Sequence, residues 1–260
     1  MIAIDDFVML GKTVPEPNSD GRVFVCSAGV SAQLRSLLRI YPLAQKGAPQ
    51  RWSVNKTQLE RNPDDHRPES WKLAGDRTPG AHEHINNIFV EAQREFAYSR
   101  RAELLKPFAV PSIREANGQM LSLAVLHPSH VTFELEHNPD SPDSPQLALF
   151  DDGIKKIEAG AKRFPYIPHL RVRLPDVDRD VQERFMLRDW GCFEYMRKHP
   201  NADASQLKTD LPRALHLDRD ASLLVGNFNR FRNRWLVISV LRGLRAAPSL
   251  FDEFEAAGAA

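Results

Sequence analysis

Through most of the first 75 positions apolar residues alternate with small or polar ones, the two-residue period of half-buried strands. Phe7–Leu10 reads as a strand and is followed by a long turn carrying Pro15, Pro17, Asn18 and Gly21. Arg22–Gly29, Leu37–Leu43 and Trp52–Glu60 repeat the strand pattern, the third of these four runs ending near Pro42. Short strands separated by turn signals predict a small barrel rather than a layered α/β sheet.

The period then lengthens. Ile85, Ile88, Phe89 and Ala92 recur at helical spacing, which predicts a helix over 81–96, and Ser99 caps a shorter one running to Lys106 and stopped by Pro107. Met120–Leu126 and Val131–Glu136 return to strand and are expected to complete or flank this first domain. Asn138–Pro145 holds three prolines, two serines and two aspartates, a composition that resists both helix and sheet and predicts a linker. Beyond it, Leu170–Leu174 and Phe185–Leu187 read as strands. Asp189 caps a helix reaching Lys198, and a second helix, Ala204–Leu215, is expected to break at Pro212. Ser222–Gly226 and Trp235–Leu241 flank a polar turn and predict a hairpin. No repeat of fixed period is visible. The expected organisation is α+β: a β-rich domain with a helical cover over 1–137, a linker over 138–152, a smaller α+β domain over 153–248 and an acidic tail over 249–260.

Composition narrows the function classes. Hydrophobic residues make up 42% and charged residues 27%, ordinary for a soluble globular chain, and no apolar run is long enough to span a membrane. The start lacks the basic and apolar segments of a secretory signal, and two cysteines fit a reducing cytoplasm, so a cytoplasmic protein without membrane contact is expected. Net charge is +1, yet residues 153–245 carry 19 Lys and Arg against 11 Asp and Glu. A basic C-terminal half points to a polyanion. No phosphate-binding glycine loop or serine nucleophile elbow is present, so no cofactor is expected. His82 and His84 stand two apart and cannot readily share an ion on a helix, so no metal is expected either.

Two features carry candidate chemistry. Between the expected hairpin strands, Asn227, Asn229, Arg230, Phe231, Arg232 and Arg234 mix guanidinium groups, a ring and amides. Guanidinium forks bind phosphates, rings stack on bases, and amides read base edges. The second is Gln146-Leu147-Ala148-Leu149-Phe150, directly after the Pro/Asp/Ser run. This pentapeptide resembles the Gln-Leu-x-Leu-Phe motif by which many bacterial replication and repair proteins dock on the DNA sliding clamp. The resemblance implies that Leu149 and Phe150 fill an apolar pocket, Leu147 a shallower step, and Gln146 fixes register at the rim. The same five residues also read as a short buried strand.

The N-terminal run, VFVCSAG followed by LLRIYPLA, resembles small OB-like modules of uncharacterised bacterial proteins. Such barrels often bind single strands through aromatic and basic residues, here Arg39, Tyr41, Arg51 and Trp52. Tyr41 and Trp52 serve equally well as core residues closing the barrel. Together these readings predict a protein that binds DNA or RNA and is recruited to the sliding clamp, without assigned catalysis. A metal-dependent nuclease or DNA-modifying enzyme using Asp176, Asp178 and Glu183, and a scaffold that binds no nucleic acid, are the alternatives.

Overall fold

The structure, a computed structural model, describes residues 1–17, 23–44, 48–75, 89–139, 141, 164–175, 181–217 and 221–242. Its first half is built from β1 (Ile2–Lys12), β2 (Glu16–Pro17), β3 (Val23–Ser31), β4 (Ser36–Leu43), β5 (Val54–Arg61), β6 (Ser70–Leu73) and β7 (Val90–Gln93). The strand order β1-β3-β4-β6-β5 returns to β1 through the β1–β5 pairing and closes a five-stranded barrel. β1 achieves this by serving two partners: Ile2–Val8 pair with β5 and Val8–Lys12 with β3. Register shifts along β1, between Ile4 and Phe7 and between Met9 and Gly11, bend the strand as bulges do.

A short helix, α1 (Arg101–Leu105), and a second, α2 (Ile113–Gly118), lead into the other sheet. That sheet comprises β8 (Leu123–Leu126), β9 (His130–His137), β10 (Tyr166–Leu174), β11 (Val181–Leu187), β12 (Ser222–Asn227) and β13 (Trp235–Leu241). The helices α3 (Trp190–Lys198) and α4 (Ala204–Leu215) lie between β11 and β12 in sequence. Strand order is β8-β12-β13-β11-β10-β9. β8 and β9, at the two ends of that path, are consecutive in the chain and separated only by residues 127–129.

The two sheets therefore share one connectivity. Counting β8 and β9 as one broken strand, each sheet runs first-second-third-fifth-fourth. In each, the leading part of the first strand pairs with the fourth and the trailing part with the second. In each, the third strand lies parallel to the fifth, β4 to β6 and β11 to β13. A repeat thus exists in topology, where no fixed period marks the sequence.

Alternation decides what each side chain fills. In the second sheet Ala124, Leu126, Leu223, Val225 and Val237 join the large apolar cluster with Leu170, Val172, Phe185, Phe193 and Leu211. Their neighbours Leu123, Val125, Leu224 and Ile238 turn the other way, onto Val8, Leu10, Ala28, Val30 and Trp52 of the first barrel. Phe7 and Met9, between the interface residues of β1, point into the first barrel with Leu38, Ile40 and Leu59. Runs such as Phe7–Leu10 and Leu123–Leu126 are apolar throughout because both of their faces are covered. The sheets approach so closely that a Cβ on Gly11 would lie 2.4 Å from Ser239 Cβ, so only glycine fits where β1 crosses β13.

Several expectations are corrected. Val90–Gln93, placed by periodicity inside a helix, is an exposed strand on the edge of β5, because ladder hydrogen bonds override a weak local period; positions 81–88 of that helix lie outside the described residues. Among the described residues the first barrel has no helical cover. Its outer apolar face is covered by the second sheet, with Leu105 of α1 in the seam. The strands at 123–137 belong to the second sheet, so the division falls before them rather than at 137. The second half is consequently larger and richer in strand than the small α+β domain expected. Pro212 does not break α4, whose Leu207, Leu211 and Leu215 stripe stays buried through it.

Candidate nucleic-acid interface

Polar side chains in the seam between the sheets occupy several of the residues that the sequence offered for ligand. Arg39 is only 5% exposed; its Nη2 donates to Ser122 O at 2.8 Å and its Nη1 to Cys26 Sγ at 3.7 Å. Burial pulls the pKa of this guanidinium down, with Cys26 opposing. Its path crosses β12 at Gly226, where a Cβ would lie 2.8 Å from Arg39 Nη2. Arg51 grips Asp189 with Nη2, at 3.0 Å to Oδ1 and 2.8 Å to Oδ2. Asp189, which is 0% exposed, also accepts from Gly191 N at the head of α3 and from Val240 N of β13. Trp52 is buried beneath the Arg101 guanidinium, 4.3 Å from its ring centroid. Tyr41 is half-buried, edge-on to Phe24. The expected strip of Arg39, Tyr41, Arg51 and Trp52 is therefore not a surface: three of the four side chains are tied up in barrel or seam contacts, and Tyr41 packs at the edge of the core.

The hairpin connecting β12 to β13 is different. Residues 228–234 are exposed. Backbone hydrogen bonds set its shape, from Phe228 N to Arg234 O (3.2 Å) and from Arg234 N to Phe231 O (2.9 Å). Asn227 Nδ2 closes the turn from below by donating to Arg232 O at 3.1 Å. The rings are not needed to hold it: Phe231 is 56% exposed and Phe228 41%, with Arg234 lying 5.1 Å over the Phe231 ring. No ion pair engages Arg230, Arg232 or Arg234 among the described residues.

The base of this tip is braced from two sides. The loop between β5 and β6 supplies Arg67, whose Nη1 donates to Asn227 O at 2.5 Å, and Asp64, whose carbonyl accepts from Asn229 Nδ2 at 3.2 Å. Arg67 is itself fixed by Asp65, through Nε to Oδ1 at 2.8 Å, and Asp65 also accepts from Ser70 Oγ at 2.6 Å. Burial pushes the Asp65 carboxyl up, but hydrogen bonds from Arg67 and Ser70 and the charge of Arg67 outweigh it and hold the group below its ordinary range. From the other side, Trp235 Nε1 donates to Asn117 Oδ1 of α2 at 3.0 Å, and Asn227 Nδ2 reaches Leu121 O. Asn227 is thus a buried anchor rather than a reader of bases, and Asn229 is partly committed. Arg230, Phe231, Arg232 and Arg234 remain presented to solvent. Sequence reasoning missed the brace because Asp65, Arg67 and Glu69 sit in a run of prolines and charges that reads as a solvated turn. Glu69 is in fact buried, its carboxylate accepting from Ser122 N at 3.0 Å and Ser122 Oγ at 2.6 Å.

The Pro/Asp segment is not a connector between domains. It leaves β9 and returns on β10, neighbouring strands of one sheet. Asn138 fastens its base: the backbone N donates to Pro165 O at 2.9 Å and Nδ2 to Phe164 O at 2.8 Å. Gln146, Leu147, Leu149 and Phe150 lie outside the described residues. The strand ends that flank this segment, at His137 and Tyr166, lie on the side of the second sheet away from the arginine tip. His169 of β10 is level with Met186 of β11 and so with Leu236 of β13, just after the tip, and Tyr166 lies three residues further on the side away from it. Along the strand direction Tyr166 and Trp235 are thus about four residues apart, roughly 13 Å at ~3.3 Å per residue.

Asp176 and Asp178 also lie outside the described residues. Glu183, on β11, is half-buried and its carboxyl is pushed up by burial. No group of three or more His, Cys, Asp or Glu side chains is arranged to hold a metal ion among the described residues. No described helix is long and apolar enough to cross a membrane.

Residues 4–106 match a family described as a domain of unknown function (DUF8758), which covers the first barrel and α1. No curated protein matches the chain.

Proposed function

We propose that this protein binds nucleic acid through the β12–β13 tip and is recruited to the DNA sliding clamp through Gln146, Leu147, Leu149 and Phe150. The observation that carries the reading is the tip itself: three arginines without an ion-pair partner among the described residues, set with two exposed phenylalanines on a braced base. Guanidinium groups left unpaired on a turn are free to neutralise phosphates, and rings left in water are free to stack on bases. The five-stranded barrel and its first-second-third-fifth-fourth order support an OB-like module, an architecture that binds oligonucleotides. The motif and the tip are carried by one chain, so the two contacts are linked. Each then raises the effective concentration of the other.

Binding of a fluorescent single-stranded oligonucleotide, followed against salt, tests the first half. Arg230→Ala/Arg232→Ala/Arg234→Ala should weaken binding and flatten the log–log salt slope by about 2, at roughly 0.7 per lost phosphate contact. An unchanged slope would favour a scaffold that binds no nucleic acid. For the second half, a peptide spanning 142–153 should compete for purified clamp, and its Leu149→Ala/Phe150→Ala form should not. Equal failure of both peptides removes clamp recruitment from the reading.

A further inference from the structure

We infer that the β12–β13 tip is a wedge: it inserts Phe231 or Phe228 between bases where duplex DNA meets single strand, while its arginines hold the flanking phosphates. The inference rests on the nucleic-acid reading above and names the form of DNA that the same surface takes.

Three observations point there. The first is shape. Residues 228–234 are an exposed turn joining the ends of β12 and β13, which offers its side chains at one point rather than along the length of a strand. The second is the placement of apolar surface. Phe7, Phe24, Phe164, Phe185 and Phe193 are all at most 7% exposed, whereas Phe228 and Phe231 stand at 41% and 56% on one turn. Met120 adds to this end of the molecule. It is 77% exposed, at φ 56 in the left-handed region, and immediately precedes Leu121, whose carbonyl accepts from Asn227. Proteins that kink or part a base step use side chains of this kind, a ring or a methionine flanked by arginines.

The third observation is stiffness. Unstacking a base step requires a wedge that does not fold back. Arg67 and Asp64 hold the base of the tip from the first barrel, and Asn117 holds it from α2. A loop meant to mould itself around a single strand needs no such bracing from two elements. The terminal pair of a duplex at a junction is the step that opens most readily, because it is stacked on one side only.

The experiment uses the full-length protein and two oligonucleotides: a duplex with a single-stranded tail, carrying 2-aminopurine at the last paired position, and a plain single strand. Anisotropy reads binding, and 2-aminopurine fluorescence reads unstacking. Wild type should bind the junction about tenfold tighter than Phe228→Ala/Phe231→Ala, the equivalent of losing one stacked base. It should also raise 2-aminopurine fluorescence severalfold at saturation. The double variant should leave the fluorescence flat and keep its thermal melting point, since both rings lie outside the core. Phe231→Leu, still an apolar wedge, should restore part of the signal. Junction binding with flat 2-aminopurine fluorescence in wild type overturns the wedge and leaves nucleic-acid binding standing. A fluorescence rise equal in wild type and the double variant also overturns it. Failure to bind either oligonucleotide at low salt overturns the underlying reading and the wedge with it.

Discussion

Replacing Asp189 by alanine removes a side chain that ties α3, β13 and the first barrel together. The carboxylate accepts from Gly191 N at 2.7 Å, from Val240 N at 2.9 Å, and from Arg51 Nη2 through both oxygens. Loss of the helix cap alone costs about 1 kcal/mol. The Val240 N–H, buried in the seam, loses its partner, at about 2 kcal/mol for an unsatisfied buried donor. Arg51 is one-third exposed and turns part of its charge to water, so its loss adds only about 1 kcal/mol. Asp189→Ala should therefore destabilise by about 4 kcal/mol. Asp189→Asn keeps the cap oxygen but turns an amide donor toward Val240 N–H or Arg51, and should still cost about 3 kcal/mol. Arg51→Ala, which leaves the carboxylate its two backbone donors and admits water, should cost about 1 kcal/mol. Urea unfolding followed by tryptophan fluorescence reads all three. Because Arg51 belongs to the first barrel and Asp189 to the half built on the second sheet, the alanine variant should also broaden the transition or split it in two. An Asp189→Ala midpoint within 1 kcal/mol of wild type, with a single sharp transition, would refute this account of the seam.

Two further outcomes follow from buried groups. Asp65 is held below the ordinary carboxylate range in the folded state. The unfolded chain therefore takes up the proton first, and the stability that the group confers is complete above about pH 4 and lost as pH falls through its depressed value. Asp65→Asn, which strands the buried Arg67, should be about 3 kcal/mol less stable than wild type at neutral pH. Urea midpoints measured down the acid range should show that gap closing; a gap constant to pH 2.5 would contradict the pairing. The two thiols should differ in reactivity. Burial, and then the nearby Asp189 charge, push Cys192 well above the ordinary thiol range, whereas Cys26 is only half-buried. Mass spectrometry after brief iodoacetamide treatment of native protein should find Cys26 modified and Cys192 untouched until urea is added. Early labelling of Cys192 would place it nearer solvent than the fold allows.

Alternation of apolar and polar residues, together with caps and turns, determined most of the strands, α3 with Asp189 at its head, the β12–β13 hairpin and the arginine-rich tip between those strands. These are local properties: a two-residue period, one capping carboxylate and a turn of polar residues act within a few positions of each other. Tertiary structure alone decided which face of each apolar run meets which partner. Leu123 and Ala124 are equally apolar neighbours, yet one fills the seam and the other the apolar cluster on the far face of the second sheet, because a second sheet lies over the first. The same layering took Arg39, Arg51, Trp52 and Asn227 out of the candidate binding surface, since a charge or ring that reads as exposed from its neighbours is buried by residues far off in the chain, 83 positions away for Arg39 and 138 for Arg51. It also placed β9 and β10, on either side of the Pro/Asp segment, side by side in one sheet. Pairing between β9 and β10 is set by hydrogen bonds across the gap, and the composition of the gap carries no record of what stands on either side.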